Sequence, residues 1–111
     1  MSQKKNAQMV KNAAKTSANT GYQTWGSAKD LIKHYTEMLL LRRFEEKAGQ
    51  MYGQGLMGGF CHLYIGQEAV ITGVNAATQP DKDYTITTYR CHGPTIASGV
   101  DPKYVMAELM G

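Results

Sequence analysis

Two short stretches of the chain carry the side chains with the most chemical reach. GGFCHLYIGQEAV (58–70) sets Cys61 beside His62, and TTYRCHGPTIASG (87–99) sets Tyr89, Arg90, Cys91 and His92 in one run. Cys and His together raise a metal site first. Structural zinc sites draw paired ligands about two to five residues apart, so that one turn presents both. Here each pair is adjacent, and neighbouring side chains on extended backbone point to opposite faces. No metal site is expected, and the cysteines read as small hydrophobes. A Cys-His nucleophile fits no better. Cys61 has no evident third group to orient a base, and no sharp strand-to-helix turn surrounds it.

Anion binding is the third chemistry. Arg90 offers a planar fork that matches phosphate oxygens. Tyr89 adds a hydroxyl donor, and Gly93 would let backbone come close. Taken alone, an arginine in this place suits a structural ion pair as well as an anion. A histidine after a glycine-rich loop, such as His62, likewise suits packing as well as catalysis. His34, farther upstream, reads as surface or core filler.

The elements that must hold these residues follow from periodicity. Ser27 opens SAKD, a capping box with Asp30 in the acidic position. Leu31, Tyr35, Met38, Leu41, Phe44, Ala48 and Met51 then recur at steps of three or four, which predicts a long helix to about Tyr52. Arg42, Arg43, Glu45, Glu46 and Lys47 fall mostly off that stripe and read as a solvated or interface face. GQGLMGG (53–59) ends the helix. GQEAVITGVNAATQ predicts a second, with Gln67 and Glu68 in its first turn, where a carboxylate suits the helix dipole. QPDKD is a turn. DYTITTY (83–89) is β-branched and aromatic and predicts a strand whose end delivers Arg90, the place where open α/β sheets collect ligands. A short helix over 94–98 is predicted next. Asp101-Pro102 then supplies a cap and a first-turn proline for a last helix. One strand cannot make a sheet, so the order of elements predicts the front part of a larger α/β protein.

Composition bounds the rest. Hydrophobic residues make up 42% of 111, enough for a packed core. The formal charge of +3 comes from the tail: Lys4, Lys5, Lys11 and Lys15 stand in residues 1–26 without an acid. Residues 27–111 carry 8 basic and 9 acidic side chains, so no basic stripe for nucleic acid is expected there. The tail lacks apolar periodicity and reads as disordered or loosely docked, with Trp25 as a candidate anchor. No stretch approaches the ~20 apolar residues of a membrane span. The tail is acid-poor but has no Arg, which favours a bacterial cytoplasmic protein over a mitochondrial matrix one. Two cysteines without a framework of spacings suit a reducing compartment.

From Leu31 onward, MLLLRRFEEKAGQMYGQG, GFCHLYIGQEAV, YRCHG and MAELMG occur in an order and at separations that resemble one family. It is the thiamine diphosphate-dependent 2-oxo acid dehydrogenases, and within it the alpha subunits of pyruvate dehydrogenases. Acetoin dehydrogenase alpha subunits are similar here but tend to have His at the place of Tyr89, and branched-chain relatives depart from GFCHL. The resemblance implies an α/β thiamine diphosphate-binding fold, of which residues 27–111 would be an N-terminal, mostly helical portion with an incomplete sheet. It implies that Tyr89 and Arg90 hold the cofactor's diphosphate and that His62 faces the 2-oxo acid. For His92 it implies only that it lines the same pocket. The reaction implied is oxidative decarboxylation of pyruvate with acetyl transfer to a lipoyl group. The implied partners are a beta subunit, which supplies the activating glutamate, and a lipoyl acyltransferase. The GDG…N motif for Mg²⁺ would lie beyond residue 111, so the chain alone is expected to be inactive. Two alternatives are an acetoin dehydrogenase alpha subunit and a non-catalytic chain that docks through its helices.

Overall fold

The computed structural model describes residues 26–111. The lysine-rich segment and Trp25 lie outside the described residues. Helix α1 spans Ala28–Gly53. Its capping box forms in full: the Asp30 N–H donates to Ser27 Oγ at 3.2 Å, and the Ser27 N–H donates to Asp30 Oδ2 at 2.9 Å. At the other end the Gln54 N–H caps back to Gln50 and Met51, and Gly55 turns the chain away at φ +74°. Three shorter helices follow: α2 (Glu68–Ala77), α3 (His92–Ala97) and α4 (Pro102–Met110). Asp101 caps α4 by accepting the Lys103 N–H, with proline in the first turn.

The second half of α1 is the backbone of the core. Leu41, Phe44 and Ala48 pack with Met57 and Tyr64 of the connecting segment, Ile71 of α2, Ile96 of α3 and Val105 of α4. Helix α1 touches α2 and α3, and α3 in turn touches α2 and α4. Asn75 Nδ2 donates to the Ala97 carbonyl at 2.9 Å and fastens the end of α2 to the end of α3. The first half of α1 is different. Leu31, Ile32, Tyr35, Leu39 and Leu40 continue the apolar face but stand exposed.

Two expectations are corrected here. Residues 83–89 form no strand: among the described residues there is no paired strand at all, and the fold seen is helical. The segment has no regular secondary structure, with Tyr84 and Ile86 98% and 96% exposed. β-Branched and aromatic composition expresses a preference for a pleated, half-buried surface, and a ladder also needs a neighbour to bond. The segment has none within residues 26–111. Glu45, expected on the solvated face of α1, is instead the most deeply buried large side chain of the described residues, at 1% exposure.

Gly93 departs from its sequence reading too. It lies in the first turn of α3, and a Cβ there would fall 2.5 Å from Cδ1 of the buried Tyr64 ring. The close approach is therefore made by an aromatic side chain of the same chain. Gly93→Ala is expected to destabilise the fold by about 1–3 kcal/mol, the usual cost of overpacking. Denaturant unfolding checks this; a variant as stable as the parent would mean that Tyr64 is free to move aside.

Candidate functional site

His62 is carried by the segment that joins α1 to α2. Gly59, at φ +72°, releases that segment from the glycine-rich turn. Tyr64 buries itself in the core, Leu63 packs partly against it, and His62 between Cys61 and Leu63 remains exposed. The far end of the segment is clamped. Arg42 of α1 donates through Nε and Nη2 to Glu68 at 2.6 and 3.1 Å, a two-pronged pair across the helices. Glu68 also accepts the Gly66 N–H at 3.1 Å. The Arg42 bond and these backbone donors hold the Glu68 carboxyl at about 2, against its ordinary 4.5. The helix-start glutamate thus sets the path of the His62 segment as well as suiting the dipole of α2.

Tyr89 and Arg90 arrive from the other side, 27 and more residues later in sequence. The Tyr89 ring meets the His62 ring edge-on, with centroids 4.6 Å apart. Arg90 Nη1 donates to the Leu63 carbonyl at 3.0 Å, and its guanidinium carbon lies 5.7 Å from the Tyr89 ring centre. Among the described residues Arg90 takes part in none of the ion pairs. Phe60, 89% exposed, lies near-parallel to the His62 ring with centroids 6.3 Å apart. An imidazole, a phenol hydroxyl and a guanidinium therefore share one open patch. Such a set can bind an anion and move a proton beside it.

His92 is not in that patch. It opens α3, is buried, and places Nδ1 3.0 and 3.2 Å from the two carboxylate oxygens of Glu45. Phe44 packs edge-on against its ring at 6.1 Å. Sequence reasoning missed Glu45. The available signal was its spacing, four residues after Leu41 and three before Ala48, which puts it on the buried face.

Cys61 and Cys91 are both free thiols, half-buried. Burial, and then the nearby Glu45 charge, push the Cys61 thiol up and keep it protonated. No three His, Cys, Asp or Glu side chains are grouped to hold a metal ion among the described residues. No described helix is long and apolar enough to cross a membrane.

Residues 36–111 match the family model described as dehydrogenase E1 component. The chain belongs to the dehydrogenase E1 component family. Its similarity to individual members is high. It is 60% identical over 83 residues to the pyruvate dehydrogenase E1 component subunit alpha of Zymomonas mobilis, covering 75% of this chain and 23% of that protein. With the same subunit of Rickettsia felis the identity is 61%, covering 75% and 25%. A mitochondrial type II subunit alpha from Ascaris suum is 47% identical over 83 residues, covering 75% of this chain and 21% of that one. This dehydrogenase E1 chain thus spans about a quarter of the length of these relatives.

Proposed function

We propose that this dehydrogenase E1 chain serves as part of the alpha subunit of a pyruvate dehydrogenase. The reaction is thiamine diphosphate-dependent oxidative decarboxylation of pyruvate, with acetyl transfer to a lipoyl group. The observation that carries the proposal is the meeting of His62 with Tyr89 and Arg90 in one patch, from two distant segments. Similarity to proteins named as pyruvate dehydrogenase subunits supports the substrate.

The donor set suits the diphosphate end of the cofactor. Arg90 uses one guanidinium N–H on the Leu63 carbonyl, and its remaining N–H groups are a charged fork for phosphate oxygens. The Tyr89 hydroxyl supplies a second, neutral donor. When bound, thiamine diphosphate supplies the electron sink for decarboxylating a 2-oxo acid. The chain's own residues then have three tasks. Arg90 and Tyr89 anchor and orient the diphosphate. The Tyr89 ring, edge-on at 4.6 Å, and Phe60, near-parallel at 6.3 Å, flank the imidazole of His62 with apolar surface. His62 holds or gives a proton, through an imidazole nitrogen, at the carbonyl or carboxylate oxygen of the substrate.

A beta subunit would supply the second half of the site, and a lipoyl acyltransferase would receive the acetyl group. A bacterial cytoplasm is the proposed location, with the mitochondrial matrix as the alternative. The test is substrate profiling of the assembled alpha–beta enzyme with a lipoyl domain as acceptor. Acetyl transfer from pyruvate that depends on added thiamine diphosphate is expected. Preference for acetoin over pyruvate would reassign the chain.

A further inference from the structure

We infer that Glu45 is a positioning residue for the Tyr89–Arg90 turn and acts through His92; this rests on the reading of Arg90 as a diphosphate anchor. The chain from Thr78 to Cys91 has few fastenings. Asp83 closes a turn on Gln79, and from Tyr84 to Arg90 every residue is exposed. The turn that presents Tyr89 and Arg90 is therefore held mainly from its C-terminal side. There α3 begins, and Cys91 at its N-cap makes no side-chain capping bond. Two contacts fix the start of α3: Gly93 lies close under the Tyr64 ring, and His92 supplies the polar one. The His92 ring is buried between Phe44 and the Glu45 carboxylate, and both of those residues sit on α1, the rigid spine of the core.

A carboxylate suits this task because it only accepts. It forces the proton onto Nδ1 of His92 and fixes the ring orientation, since the partner of one imidazole nitrogen sets the tautomer. An amide at the same place could turn over and present N–H instead. Arg90 lies two residues before His92, and among the described residues its side chain is otherwise tethered by one hydrogen bond, to the Leu63 carbonyl. Loosening His92 widens the range of positions the guanidinium visits. Diphosphate binding then has more freedom to remove, which weakens affinity without altering the bonds made once it is bound.

The test uses the assembled enzyme, with Glu45→Gln, Glu45→Ala and Arg90→Ala. Three readouts are taken: thiamine diphosphate affinity by titration, turnover at saturating cofactor, and the Nδ1–H resonance of ¹⁵N-labelled His92. Glu45→Ala should weaken cofactor binding about tenfold, as expected for a buried charged partner removed. Glu45→Gln, which keeps one acceptor oxygen, should fall between it and the parent. Turnover at saturation should stay near the parent's value in both, a split that general loss of folded protein would not produce. The slowly exchanging Nδ1–H signal should be broadened in Glu45→Gln and lost in Glu45→Ala. If Glu45→Ala fails to fold, Glu45→Gln decides alone. Parent-like cofactor affinity in Glu45→Gln together with a sharp Nδ1–H signal overturns the inference. Arg90→Ala separates the two readings: if it leaves cofactor affinity untouched, the anchor role fails, and the His92 signal still decides whether Glu45 fixes the ring.

Discussion

Replacing His62 with alanine is expected to lower turnover with pyruvate about 100-fold in the assembled enzyme, with thiamine diphosphate affinity changed much less. General acid–base groups contribute about 10²–10⁴-fold where they handle a proton in the transition state. The lower end of that range applies if water can replace part of the transfer at an exposed histidine. Cofactor affinity should fall only slightly, because His62 touches the anchor through the Tyr89 ring alone, edge-on at 4.6 Å. The measurement is a cofactor titration followed by turnover at saturation. Turnover within threefold of the parent would remove His62 from the chemistry.

Arg90→Ala is expected to do the reverse. It removes a charge-assisted fork whose bonds are worth about 1.5–3 kcal/mol, which is a tenfold to hundredfold loss of diphosphate affinity. It also removes the tether to the Leu63 carbonyl, so the His62 segment loses one of its fixed points. Arg90→Lys should recover part of the affinity, since an ammonium keeps the charge but not the planar fork. Selectivity for pyruvate over other 2-oxo acids should barely move in either variant. A result in which His62→Ala abolishes cofactor binding while Arg90→Ala leaves it intact would exchange the two roles.

The Arg42–Glu68 clamp sets the conditions for both experiments. Its carboxyl titrates near 2, so the clamp is intact at any pH where such an enzyme would be assayed. Release of this clamp therefore does not shape a pH profile of turnover taken near neutral pH.

Local signals in the sequence were strong where a helix begins or ends. Ser27 with Asp30, the GQGLMGG turn, and Asp101 with Pro102 each specify their element through bonds that close within four residues. Family membership was legible for a similar reason: GFCHLYIGQEAV and YRCHG are runs of adjacent residues. Three features were not legible because each depends on a partner far along the chain. The 83–89 segment has the composition of a strand, but pairing requires a neighbour that composition does not supply. The exposed first half of α1 carries the same apolar period as the buried second half, and only the positions of α2 and α3 separate them. Glu45 looked like one charge among five on a solvated face. A carboxylate tolerates burial only when a donor meets it, and its donor is His92, 47 residues away. The sequence by itself determined the helices, their caps and the chemistry available at His62, Tyr89, Arg90 and His92. The family resemblance implied one pocket for all four; tertiary structure alone decided that His62, Tyr89 and Arg90 meet in an open patch while His92 turns inward to Glu45, because which side chains meet depends on how α1 packs against the segments that follow it.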